Sequence, residues 1–505
     1  MTNLRKSKMN IAVRLIYQVV AIAMGLFIPR LTIAGYGSDV NGLLSSAIQF
    51  VSYLNIFEAG IQAVAMKSLY KTVGSSDCDG TNAILAAVHK NYQKTGFFYL
   101  IGLLLLSFIY PLFINKSDVN YFTAFFVVLF SGLSNVVLFF WQGKYRILLQ
   151  VEGKQYFISV LDIITSITNH GVRILLLCLN ANVAVVVFGS FAVSLIPACA
   201  IMVYIKRKYE WIDLNMKPDF SALTQSRAGV IHQVAGLVFS STDTLILTLF
   251  CDLKVVSVYM VYNMIVSYIM TFSKIPYDGM SFRLGQLYNN DKERFKNYIN
   301  CVELFTATIC FVLFTVTLCI ITPFVALYTN GANDINYVDT KLAMLFVLVQ
   351  LLTYMRMPML HVIIYAGHFK QTLLPTIIET VINIVVSIVG VIFLGIYGVL
   401  LGTIAALLYR TTDVILYANR KLLDRSSRRT VSYYIVGFLL LAGIYILFSN
   451  LHIVIDSYFK FALVGAVLTV VTTLIFALTV VLIFRKEVRF LKSKLIRKKV
   501  ENNNI

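Results

Sequence analysis

The sequence predicts an all-α, polytopic integral membrane protein: about fourteen transmembrane helices, arranged as two pseudo-symmetric six-helix lobes followed by a helix pair. Three observations predict it. Of the 505 residues, 58% are hydrophobic and only 13% charged, too apolar for a water-soluble chain of that length. Apolar stretches of about 20 residues, enough to cross a hydrocarbon core about 30 Å thick, recur along the chain from Asn10 to Phe484 with short breaks. The chain also repeats itself. GKQYFISVLDIITSITN from Gly153 and GHFKQTLLPTIIETVIN from Gly367 align without a gap on Gly, Ile-Ile and Asn, and at nearly the same offset Arg14 falls on Arg227, Arg30 on Asp243 and Asp39 on Asp252.

Hydropathy places the spans at 10–33, 38–66, 96–114, 120–141, 155–179, 181–205, 225–250, 252–273, 299–324, 342–366, 372–394, 396–418, 431–449 and 461–484. The break at 67–95, with Lys67, Lys71, Lys90 and Lys94, reads as a cytoplasmic loop carrying an amphipathic helix. The expected organisation is an N-terminal lobe over 1–205, a cytoplasmic linker over 206–224, a C-terminal lobe over 225–418, appended helices thirteen and fourteen within 419–484, and a basic tail over 485–505. Copies with an even number of helices share one topology, and transporters of that design bind substrate between the copies. Of the lysines and arginines, only Lys116, Lys254, Lys341 and Lys460 are assigned to the external side, Lys254 at the very start of its span. Basic loops stay in the cytoplasm, so both termini are expected there.

The net charge of +19 does not indicate a nucleic-acid partner, because it sits in loops and in the run from Arg485 to Lys499. A basic run beside a last span anchors topology and meets anionic lipid. Cys178, Cys199, Cys251, Cys301, Cys310 and Cys319 lie in or at the ends of apolar spans with no C-x-x-C pair, which fits packing and not a metal site or a disulfide. No G-x-x-x-x-G-K-[ST] loop, H-E-x-x-H helix or long acidic external domain is present. Transport is therefore expected rather than catalysis, with no cofactor and no metal.

Polar residues inside the spans mark where a substrate would sit, since intramembrane charges need a partner or a watery cavity. In the span 155–179, Gln155, Ser159, Asp162, Ser166, Asn169 and Arg173 share one helix face within about 60°. In its repeat mate, Thr372, Thr376, Glu379, Asn383, Ser387 and Gly390 do the same within about 80°. The seventh span carries His232, Gly236, Ser240 and Asp243 on one face, with Arg227 pointing elsewhere, and the first span has Arg14 and Gln18 together and Arg30 after Pro29. The expected cavity set is thus Arg14, Gln18, Arg30, Asp162, Asn169, Arg173, Arg227, His232, Asp243, Glu379 and Asn383, with Glu58, Asp162, Asp243 and Glu379 as candidates for ion coupling. Asn55, Glu58 and Gln62 form a shorter stripe, and Arg410 and Asp413, one turn apart, are placed to pair. The plain alternatives are hydrogen bonding between helices of a dry bundle for the stripes, and snorkelling to the interface for Arg14, Arg30 and Arg227.

Three segments carry a resemblance to a known family: YGSDVNGLLSSAIQFVSYLNIFEAGI from Tyr36, STDTLILTLFCDLKVVSVYMVYNMI from Ser241, and IIETVINIVVSIVGVIFLGIYGVLLGTIAALLYR from Ile377. The chain resembles bacterial polysaccharide repeat-unit flippases of the multidrug, oligosaccharidyl-lipid and polysaccharide exporter superfamily. That resemblance implies a two-lobed fold passing an undecaprenyl-pyrophosphate-linked oligosaccharide from the inner to the outer leaflet of the bacterial cytoplasmic membrane. It also implies a cationic cavity, with membrane lipid, a polysaccharide polymerase and glycosyltransferases as partners. The chemistry agrees, because guanidinium groups keep their charge in a low dielectric and grip a pyrophosphate bidentately. Two other readings stay open: a cation-coupled exporter of drugs or small solutes with the same fold, and a scaffold for envelope glycosyltransferases.

Overall fold

The computed structural model describes residue 22 and residues 24–58, 60–114, 117–223 and 227–489, excluding the side chains of 227 and 228. Among these the chain is helical and has no strand, and thirteen helices are long and apolar enough to cross a membrane. The first expected span is described only from its second half, as helix α1 over residues 24–36. The rest follow as α2 (Ser38–Tyr53), α3 (Ile61–Gly74), α4 (Cys78–Phe113), α5 (Tyr121–Val137), α6 (Gly143–Val151), α7 (Gln155–Cys178), α8 (Val183–Lys208), α9 (Arg227–Phe250), α10 (Leu253–Asn290), α11 (Lys292–Tyr328), α12 (Thr340–Tyr365), α13 (Leu373–Leu394), α14 (Ile396–Tyr417), α15 (Arg428–Asn450) and α16 (Tyr458–Ile483). The all-α, multi-pass reading holds.

Several helices run beyond the hydropathy limits. α4 starts at Cys78, where Asp77 accepts a hydrogen bond from the Gly80 N–H and caps it, so the expected loop 67–95 is α3 plus the first half of α4. α10 continues to Asn290, and α11 begins directly after Asp291, whose carboxylate caps the Arg294 N–H. Charged amphipathic turns extend these helices past the bilayer, which an apolar window does not register. The second span breaks instead. A 3₁₀ turn over Leu54–Glu58 is followed by Gly60 at φ +85°, a left-handed conformation that suits glycine.

Two compact units make up the chain: Met1–Val258 with Gly331–Ile335, and Tyr259–Asn330 with Asn336–Ile505. α9 packs within the first unit, against α2. There Ser52 meets Ser241 at 3.0 Å, Tyr53 meets Thr242 at 2.9 Å, and Asn41 donates to Ser257 at 2.7 Å. The core of this unit is built on buried Tyr92, Tyr99, Tyr110 and Phe139, with each phenol satisfied: Tyr92 donates to Glu58, Tyr99 accepts from Asn135, and Tyr110 bonds Ser46.

In the second unit α11 is the central helix, lying against α12, α15 and α16, so the expected appended pair packs on the same core as the helices before it. α13 and α14 form a tight hairpin through Gly395 at φ +55°. Their axes approach so closely that a Cβ on Gly398 would lie 2.0 Å from the Gly390 carbonyl oxygen, and one on Gly402 2.2 Å from Ser387 Oγ. Such small-residue contacts let membrane helices gain dispersion energy that lipid does not already supply. Gly398→Ala is expected to lower stability by about 1–3 kcal/mol through overpacking. Gly443→Ala, where a Cβ meets nothing within 4 Å, should have no such effect. Thermal unfolding of the two variants in one detergent checks this, and equal midpoints would contradict the packing argument.

Candidate functional site

In the first unit the site is built on α7. Asn180 at φ +52° ends this helix, and Asn182 starts α8 by accepting from the Ala184 N–H, which folds the two helices back to back. α7 buries Ile158 and Leu177 and leaves most of its surface outside the protein core. Asp162 lies on the polar face and is already taken, since Arg146 from α6 reaches it at 2.6 Å while also donating to Gln142. Farther along that face the partners stop. Thr165 Oγ1, Asn169 Oδ1, His170 Nδ1 and Arg173 Nε are all buried, and none has a hydrogen-bond partner among the described residues. Each such group costs about 1–3 kcal/mol unless something satisfies it, which makes the stretch from Thr165 to Arg173 the candidate site of this unit. Arg173 also has no ion pair with a described residue, and its buried Nε argues against simple snorkelling.

The second unit holds a different kind of cluster. Glu379 on α13, 6% exposed, receives Arg356 from α12 and Arg410 from α14, the latter at 3.5 Å, and Arg410 also holds Asp413 one turn on, as expected. Two guanidinium groups face two carboxylates, so the charges cancel locally. Glu379, expected to line the substrate cavity, is thus engaged by two arginines in this structure. Asn383, expected in the same cavity, is fully buried and donates to Thr403 at 2.9 Å, while Ser387 donates to the Val399 carbonyl. The α13 stripe is spent on the hairpin contact with α14, as a dry bundle would use it.

The other expected residues separate. Asn55 accepts from Asn135, Glu58 from Tyr92, and Gln62 donates to Gln150, because the helix break at Leu54–Glu58 sends the three in different directions. Arg30 is half buried on α1, and His232 and Asp243 sit on α9, half buried and 6% exposed respectively. Arg14, Gln18 and the Arg227 side chain lie outside the described residues. His361 packs its ring on Tyr277 at 4.8 Å.

Sequence reasoning missed Arg146, Thr165, His170 and the pairing role of Arg356. Arg146 was hidden because the fourth span was ended at Trp141. In fact a π-helical turn over Leu138–Gln142 carries the helix on to Val151, and the buried Ile147, Leu148 and Val151 were the periodic signal for it.

No protein-family model matches the chain, and no curated protein is similar to it in sequence. Solved structures are similar in fold. The lipid II flippase MurJ, in an inward closed conformation, superposes with a TM-score of 0.66 at 15% identity over 94% of this chain and 99% of that one. The MATE multidrug transporter DinF-BH gives 0.54 at 15% identity over 81% and 94%. An inward-facing multidrug resistance MATE family transporter of the MOP superfamily gives 0.52 at 13% identity over 85% and 98%. At these identities the likeness establishes architecture alone: the chain is an all-α, multi-pass membrane protein with the fold shared by the MurJ flippase and the MATE transporters of the MOP superfamily.

Proposed function

We propose that the protein is a flippase that moves an undecaprenyl-pyrophosphate-linked oligosaccharide from the inner to the outer leaflet of the bacterial cytoplasmic membrane by alternating access, for cell-surface polysaccharide synthesis. The observation that carries this reading is the α7 face, where a guanidinium without an ion pair among the described residues lies beside amide, hydroxyl and imidazole groups that have no partner there. A pyrophosphate needs a fixed cation with paired donors, and a sugar chain needs amide and hydroxyl partners. The neutralised cluster at Glu379 supplies neither, so headgroup recognition is assigned to Arg173, Asn169 and Thr165. Arg14, Gln18, Arg30, Arg227 and His232 complete the cationic cavity in this reading. Both termini face the cytoplasm, where the glycosyltransferases would act, and a polymerase would take over the unit outside.

A second reading, cation-coupled export of small solutes, draws on the buried carboxylate Asp243 and on neighbours of like fold that are multidrug transporters. One experiment separates the two. Purified protein in vesicles is expected to make a labelled undecaprenyl-pyrophosphate-linked oligosaccharide accessible in the opposite leaflet, and not to move a cationic dye against its gradient. Dye transport driven by a proton or sodium gradient, without lipid transfer, would replace the flippase reading with the exporter.

A further inference from the structure

One turn apart on α4, Lys90 and Lys94 line a cavity of about 510 Å³ together with Asn91, Thr95 and the rings of Phe57, Phe98 and Phe220. All of it belongs to the first unit. Phe57 comes from the 3₁₀ turn after α2, and Phe220 opens a short turn, Phe220–Leu223. That turn is held in place by Ser68, which donates to the Ala222 carbonyl at 2.7 Å, and by the Asp219 N–H, which donates to the Ala83 carbonyl at 3.1 Å.

The depth of this cavity follows from α4 itself. Its 36 residues are about 54 Å long, and a hydrocarbon core about 30 Å thick takes about 20 of them. Counted back from Phe113, those 20 end at Lys94. The side chains agree: the exposed large hydrophobics of α4 begin at Phe97 and run to Phe113, with none before. Lys94 and Lys90 therefore lie at headgroup depth, and Phe98 lies beside the first acyl carbons. Neither lysine forms an ion pair with a described residue, and two ammonium groups one turn apart repel each other. The nearby carboxylate Glu58 is already taken by Tyr92. Asn91 accepts the Thr95 hydroxyl through its carbonyl oxygen, which leaves its amide N–H groups to donate.

We propose that this cavity is a binding site for an anionic membrane phospholipid, its phosphate held between Lys90 and Lys94 and its acyl chains lying against Phe98 and Phe57. A phosphate between the lysines removes their mutual repulsion. The three rings favour a lipid over free phosphate, to which they would add nothing. The site is separate from the α7 face and stands whether or not the protein moves lipid-linked sugar.

Native mass spectrometry of the detergent-purified full chain, titrated with phosphatidylglycerol, tests the proposal. Lys90→Ala with Lys94→Ala is expected to weaken the tightest binding about 30-fold. Lys67→Ala with Lys71→Ala, which removes the same charge from α3 outside the cavity, should leave it within about twofold. Equal losses in both pairs, equal binding of phosphatidylcholine, or displacement of the lipid by millimolar inorganic phosphate would each overturn the site. A second measurement needs no variant. Phosphatidylglycerol should shield Lys90 and Lys94, and not Lys67 and Lys71, from acetylation of the native protein, and uniform labelling with and without the lipid would overturn the proposal equally.

Discussion

Arg173→Ala is expected to reduce transfer of the lipid-linked oligosaccharide about 100-fold while leaving the amount of folded protein in the membrane near normal. A bidentate, charge-assisted grip on a pyrophosphate is worth about 3 kcal/mol, which sets the size of the loss. Folding should survive because Arg173 makes no ion pair with a described residue that truncation would leave broken, and its Nε has no partner there. Arg173→Lys should recover part of the activity, since it keeps the charge and loses the fork. Transfer and protein level in the three forms settle the matter. Disappearance of the alanine variant from the membrane would make Arg173 a packing residue, and unchanged transfer would remove it from the substrate path.

Glu379→Ala should act on stability instead. Removing the carboxylate takes an acid partner from half-buried Arg356 and one of the two acids from buried Arg410, which keeps Asp413. Breaking one partner of a buried pair costs about 3–5 kcal/mol, against a smaller net worth for the intact pair. The sign of a double change follows: Arg356→Leu with Glu379→Leu should be markedly more stable than Glu379→Ala alone. Thermal unfolding of the detergent-purified variants reads both. An unfolding midpoint for Glu379→Ala equal to that of the parent would mean that water or another group compensates Arg356, and the picture of a locally neutral cluster would fall.

The two polar stripes looked alike in sequence and turned out to differ. Helical periodicity alone put Asp162, Asn169 and Arg173 on one face, and it did the same for Thr376, Glu379, Asn383 and Ser387. What separates them is the neighbour. Gly390, Gly398 and Gly402 bring α14 into contact with the second stripe, whereas on the first stripe Asn169 Oδ1 and Arg173 Nε have no hydrogen-bond partner among the described residues. Spacing within a helix says which residues share a face and nothing about what lies opposite. The same limit explains Arg146 and Asp162, a pair bridging α6 and α7 across a helix that hydropathy had ended too soon. The membrane class was legible because the cost of exposing backbone and charge to lipid is written in composition. Helix ends were less so, because the turns outside the bilayer are held by caps such as Asp77 and Asp291 rather than by apolar runs.

The ion pairs of the second unit also set a timetable for synthesis. Arg356 leaves the ribosome 23 residues before Glu379, so at about 5–20 residues per second it waits about 1–5 s for its partner. The acid comes between the two bases in chain order, and Arg410 finds it already made. Glu303 is in a different position. It is fully buried in α11 and is matched by Arg425, 122 residues later, a delay of about 6–24 s during which α12, α13 and α14 must all emerge. The nascent chain thus carries one acid that is answered almost at once and one that stays open until the fifteenth helix begins.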